Sequence, residues 1–184
     1  MKKEIESYVM QSSDGAGVYV GTYKKYNDGS LYGAWIDLEQ FTNAEDFFEV
    51  CRLLHDDEED PEFMFQDYQC FPDELYGESM NEDDVQKILD YLALDEDERE
   101  MIEDYIECFG GEMQDFEEIL SSARNRERGQ WASFQDFADE IADDMLNTSD
   151  VPSCISNYFD YKAFARDLEY DYYIGSNGYV FSNC

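Results

Sequence analysis

The sequence predicts an α+β protein with small antiparallel sheets toward both ends of the chain and an acidic helical middle. Three observations predict it: aromatic and β-branched runs with turn signals at both ends, apolar residues at helical spacing between them, and a crowd of acids at the centre. The corresponding division is a sheet-plus-helix domain over 1–60, an acidic helical domain over 61–118 and an α+β domain over 119–184.

Val18 to Tyr23 and Tyr32 to Leu38 read as strands joined by the turn-forming Asn27-Asp28-Gly29-Ser30, which predicts a hairpin. Thr42 stands three residues before Glu45 as a capping box, and Phe47, Val50, Cys51 and Leu54 share one helix face. After His55 the composition changes: Asp56 to Glu118 holds 26 acids against two bases, Lys87 and Arg99. Asn81 with Asp84 caps a helix bearing Val85, Ile88, Leu89 and Leu92. Asp95 with Glu98 caps the next, bearing Met101, Ile102, Tyr105, Ile106 and Phe109, and Gly110-Gly111 ends it. Beyond the cluster Arg124, Arg126 and Arg128, Ser133 caps a helix with Phe134, Phe137, Ala138, Ile141, Ala142 and Met145 inward. Pro152 breaks the pattern. A short helix from about Asp160 buries Tyr161, Phe164, Ala165 and Leu168, and Asn177-Gly178 marks a closing hairpin between aromatic segments. Trp35, Phe47 and Tyr105 are expected in the core.

The 184 residues carry 46 Asp plus Glu against 12 Lys plus Arg, a net charge of -34. Such a chain repels phosphate and anionic lipid, which argues against direct nucleic-acid or membrane binding. With 43% hydrophobic and 16% aromatic residues it nonetheless has material for ordered cores. No apolar run reaches the ~20 residues of a spanning helix, and Met1-Lys2-Lys3-Glu4-Ile5-Glu6 lacks the apolar core of a signal peptide, so a cytoplasmic location is expected. Cys51, Cys70, Cys108, Cys154 and Cys184 are odd in number, scattered and accompanied by one histidine, the pattern of reduced thiols rather than a zinc site.

Catalytic signatures are missing, and neither an enzyme nor a cofactor is expected. Gly15, Gly17 and Gly21 do not fit a dinucleotide fingerprint and lead into a strand. His55 reads as a helix-end residue rather than a base or ligand. The acidic runs from Asp56 and Asp95 place Pro61 and Glu100 where a calcium loop needs glycine. A carboxylate-pair hydrolase carries no weight, because 46 acids guarantee a chance pair.

A run of acids is ordinarily a solvated helix face, yet solubility needs a net charge of only about 2–8. Halophilic adaptation is another use for the excess, and a need for molar salt to fold would mark it. Duplex DNA carries one charge per about 1.7 Å of axis, so the net charge matches roughly 17 base pairs and all the acids roughly 23. A globule of this length has a radius of gyration of only about 16 Å, so imitating such a duplex requires an elongated chain of small domains. The candidate partner-binding acids are Asp56, Asp57, Glu58, Glu59, Asp60, Glu62, Asp67, Asp73, Glu74, Glu82, Asp83, Asp90, Glu96, Glu100, Glu103 and Glu107, with Asp136, Asp139, Glu140, Asp143 and Asp144 on the outward face of a later helix.

The run from Tyr19 to Leu38, YVGTYKKYNDGSLYGAWIDL, resembles the opening signature of the ArdA antirestriction proteins. Gln66-Asp67-Tyr68 with Phe71-Pro72 is similar to that family's middle section, and Asn157 to Leu168 with Gly178 to Phe181 to its carboxy end. The resemblance implies an elongated three-domain α+β protein, dimeric through its carboxy-terminal domain and carried by mobile genetic elements. It implies mimicry of bent B-form DNA that blocks type I restriction–modification enzymes in the cleft of the methyltransferase core. The alternative is an acidic mimic directed at another basic DNA-binding protein, a nucleoid protein or transcription factor. The chain departs from the family pattern at Arg124, Arg126 and Arg128, which interrupt the acids. They either pair with neighbouring acids or mark a changed dimer contact.

Overall fold

The structure, a computed structural model, describes residues 5–11, 14–110, 116–148, 152 and 158–183. The expectations for Met1 to Glu4, Gly111, Cys154, Asn157 and Cys184 lie outside those residues. The architecture is α+β, with seven α-helices and two three-stranded antiparallel sheets among the described residues. Packing divides the chain into two compact units, Met1–Asp95 and Glu96–Cys184. That boundary follows contacts, whereas the divisions near residues 60 and 118 follow charge.

In the first unit, β1 (Gly17–Thr22) lies at the centre of a sheet between β2 (Ala34–Asp37) and β3 (Phe63–Gln69). The expected hairpin of β1 and β2 forms, with a longer connection than a single turn. The two strands pair antiparallel, and a short helix, α1 (Tyr23–Asn27), and a turn at Gly29 separate them. Thr22 accounts for the difference, because its hydroxyl accepts from the Lys25 N–H and starts a helical turn where the strand would have continued. β3 pairs on the other edge of β1, with a register shift between Tyr19 and Val20 that leaves Gln66 as the extra residue. Gly21 leaves room there: a Cβ at that position would stand 2.6 Å from Gln66 Nε2.

Helix α2 (Ala44–Leu54) buries Phe47, Val50, Cys51 and Leu54 as expected. Its cap is Asn43 rather than Thr42, with the Asn43 side-chain Oδ1 accepting from Asp46 N–H. Phe47 anchors the core, with ring centroids 5.5 Å from Phe41, 5.4 Å from Phe48 and 6.1 Å from Phe65. Trp35 is only half-buried. α3 (Glu82–Leu92) packs on α2, opens with the expected Asn81–Asp84 capping box, and buries Val85, Ile88 and Leu89 while Leu92 lies at the margin. The Gln86 side chain ties the two helices by accepting from Ala44 N–H at 3.0 Å.

In the second unit the strands are β4 (Glu127–Gln130), β5 (Tyr172–Ile174) and β6 (Tyr179–Ser182), with β6 central. Asn177-Gly178 turns the β5–β6 hairpin as expected, Gly178 taking a φ of 93°. α4 (Glu96–Phe109) packs on that hairpin, burying Met101, Ile102, Tyr105 and Ile106, with Phe109 half-buried against Phe181. α5 (Phe116–Arg126) packs beside α4. α6 (Phe134–Thr148) starts at Ser133, whose hydroxyl accepts from Asp136 N–H, and packs against α7 (Tyr161–Leu168), capped by Asp160. Met145, expected inward, is 55% exposed, because α6 buries the narrower stripe of Phe137, Ala138 and Ala142.

Among the described residues, one acid is buried as a whole residue. Asp104 on α4 is 1% exposed and accepts from Asn177 N–H at 2.8 Å and Tyr179 N–H at 2.9 Å, so its two carboxylate oxygens clamp the hairpin. Burial raises its pKa, and the two amide donors act against that rise. Gly175 is required beside it, since a Cβ there would lie 2.2 Å from the Asp104 carboxyl carbon. Asp104→Asn replaces one acceptor by a donor facing an N–H, and is expected to lower stability by about 1–3 kcal/mol. A thermal melt checks this; an unchanged Tm would contradict the clamp.

Candidate functional site

Nearly all the acids expected to face a partner do lie outward. Of the 21 candidates, all but Glu58, Glu100 and Asp139 are exposed, and those three are partly so. The structure employs them in different ways.

Glu59, Asp60, Glu82 and Asp83, from the run after α2 and the first turn of α3, line an open groove of about 700 Å3 with Phe48, Arg52, Pro61, Phe63 and Asn81. Arg52 reaches Glu82 only at 4.0 Å, and both side chains are more than half exposed, so the pair is worth little. On β3 and the turn after it, Asp67, Asp73 and Glu74 are exposed, and Asp73 accepts from the Tyr68 hydroxyl. That contact pushes the phenol up to about 12.

On α4, Glu96, Glu100, Glu103 and Glu107 fall on one face, as their spacing requires. The face borders the β5–β6 turn: Glu107 accepts from Ser176 N–H at 2.9 Å and its hydroxyl at 3.0 Å, Glu103 from the Asn177 amide at 3.4 Å, and Glu100 from Gln130 Nε2 at 3.4 Å. On α6, Asp136, Glu140, Asp143 and Asp144 are exposed. Asp139 accepts from Gln135, and Asp143 from the Tyr161 hydroxyl at 2.5 Å.

The arginines serve different ends. Arg124 pairs with Glu98. Arg126 lies over the Phe109 ring, 4.9 Å from its centroid. Arg128 donates to the carbonyls of Asn125 and Glu127 and to the Ser182 hydroxyl. Pairing with acids thus describes Arg124, while Arg126 packs on α4 and Arg128 ties to the second sheet at Ser182.

Glu58 is not a free surface charge, because its side chain is only 6% exposed. It belongs to a cluster that sequence spacing did not reveal. Lys25 Nζ donates to Glu58 Oε1 at 2.6 Å, Asp57 Oδ1 at 2.8 Å and His55 Nδ1 at 3.3 Å, which uses all three ammonium donors. His55 terminates α2, in keeping with a helix-end role, and its Nε2–H donates to the Val20 carbonyl at 3.2 Å. That bond leaves Nδ1 as the acceptor for Lys25. Thr22 donates its hydroxyl to Glu58 at 2.7 Å, and Tyr32 places its ring centroid 5.5 Å from Nζ. His55, Asp57 and Glu58 could by spacing hold a metal ion, but the ammonium of Lys25 already binds all three.

Burial opposes ionisation of Glu58, but hydrogen bonds from Lys25 and Thr22 outweigh it and hold its pKa below the ordinary value. The Lys25 hydrogen bond lowers Asp57 likewise. Burial lowers His55, and the neighbouring Lys25 adds to the effect. A depressed histidine contributes stability that is present above its unfolded pKa of about 6.5 and is lost as pH falls through the folded value.

The fold and this surface define a strongly anionic α+β protein. The chain belongs to the antirestriction protein (ArdA) family, whose sequence model matches residues 18–181. No curated protein matches it. Among the described residues no helix is long and apolar enough to cross a membrane. Cys51 is buried, Cys108 half-buried and Cys70 exposed, all three as free thiols.

Because His55 is the sole histidine, its ring Hε1 gives a single assignable NMR signal. That signal is expected to titrate below about 6.5. A midpoint at or above the ordinary value would contradict the buried, neutral assignment.

Proposed function

We propose that this protein is a non-enzymatic DNA mimic that inhibits type I restriction–modification enzymes. Its acids occupy the cleft of the methyltransferase core in place of DNA, in the cytoplasm, and it acts as a homodimer joined through its carboxy-terminal segment. The three-domain organisation expected from the sequence belongs to this reading. The observation that carries it is the outward placement of most of the described acids between Asp56 and Glu118, a stretch with only two bases. Family membership supports the antirestriction part. Binding a basic cleft lets such a surface gain electrostatic steering and release of counterions, as DNA does.

The surface is distributed over separate elements, so reversing one exposed carboxylate is expected to change inhibition little. The block to neutralise is Glu59, Asp60, Glu62, Glu82 and Asp83, which are exposed; Asp57 and Glu58 are better left alone because they hold Lys25. At about 0.2–1 kcal/mol per exposed charge, the block variant loses roughly fivefold or more in potency. Wild-type potency in a folded block variant would contradict the assigned surface.

The direct test titrates the protein into DNA cleavage by a purified type I enzyme, with a type II enzyme at the same salt as control. Selective inhibition near stoichiometry is expected. Inhibition of neither enzyme would overturn the type I assignment and redirect the search to nucleoid proteins and transcription factors.

A further inference from the structure

We infer that Lys25 is a positioning residue for the proposed inhibition, its ammonium holding the acidic run Asp56–Asp60 in the conformation that meets a basic partner. The inference rests on the proposed function. Five successive carboxylates repel one another, and this run belongs to neither a helix nor a strand. Lys25 reaches it from beneath. It is on α1, its side chain is 14% exposed, and its contacts to Asp57, Glu58 and His55 join α1, the run and the end of α2. Thr22 strengthens the same tie, since one hydroxyl accepts from Lys25 N–H and donates to Glu58.

The consequence is a sign that surface charge alone does not produce. Removing a lysine makes the protein one unit more anionic, so a purely electrostatic account expects Lys25→Met to inhibit as well as the wild type or better. The latch expects weaker inhibition, because the run must then be ordered at the moment of binding. Glu58 sharpens the contrast. With a side chain 6% exposed it is hidden from a partner, so an effect of Glu58→Gln on inhibition passes through the run.

The experiment compares full-length wild type with Lys25→Met, Lys25→Arg, Glu58→Gln and the charge-matched control Lys24→Met, whose lysine is exposed. Each is assayed for type I cleavage inhibition and for hydrogen exchange of the amides of residues 56–60, with circular dichroism confirming the fold. For Lys25→Met the half-inhibitory concentration is expected to rise about tenfold or more, equivalent to about 1.4 kcal/mol, with faster exchange in the run. Lys24→Met should match the wild type or improve on it, Lys25→Arg should restore most of the potency, and Glu58→Gln should fall between. A folded Lys25→Met that inhibits like the wild type overturns the inference. If Lys25→Met does not fold, Glu58→Gln decides, and wild-type potency with unchanged exchange in that variant overturns it. Absence of inhibition by the wild type overturns the proposed function and this inference with it, whereas the exchange rates separately keep or remove the latch.

Discussion

Like-charge repulsion is the constraint to which the rest of the structure answers. With a net charge of -34 on 184 residues, the acids have few lysines or arginines to relieve them. A like pair one helical turn apart costs about 0.2–0.5 kcal/mol, whereas fully burying a phenylalanine contributes about 1.5–3 kcal/mol. A few well-buried rings therefore offset many such pairs, and each unit is built around them. Phe47 and Phe65 are fully buried in the first, and Phe137 and Phe181 in the second. The aromatic richness of so acidic a chain is the counterpart of its charge.

The same constraint explains the two acids drawn inside. Glu58 remains favoured as the anion because Lys25 and Thr22 supply donors that outweigh its burial. Asp104 rests instead on two backbone amides, and burial leaves its pKa raised. In both cases the carboxylate joins segments distant in sequence: α1 to the run after α2, and α4 to the closing hairpin.

What periodicity and capping govern was legible before the structure. The buried face of α2, the Asn81–Asp84 box, the Ser133 cap and the Asn177-Gly178 turn all follow from residues within about one or two turns of one another. What depends on distant partners was not. β3 and β4 carry no clean alternation, and each is a strand only because β1 or β6 offers its edge. Nothing local in the sequence marks Lys25, since its partners lie some thirty residues on. Asp104 sits in an acid-rich helix whose other carboxylates face water, and only packing against the hairpin distinguishes it. The exposure of the candidate acids was legible from composition, but their hydrogen bonds were not.

Those hydrogen bonds bear on how a protein surface can stand in for a phosphate backbone. Phosphates are fixed to their chain, whereas a glutamate side chain gives up as much as about 1.5–2 kcal/mol of rotamer entropy when immobilised. Glu107 is exposed yet held by the Ser176 amide and hydroxyl, Asp143 by the Tyr161 hydroxyl and Asp73 by the Tyr68 hydroxyl. On the proposed reading, neighbouring tyrosines and the β5–β6 turn order part of the anionic array before a partner arrives. Acids of that kind meet a basic cleft at a smaller entropic cost than equally exposed acids without a tether. The count of carboxylates thus describes the field at a distance, and the tethered subset describes the array that a partner meets at contact.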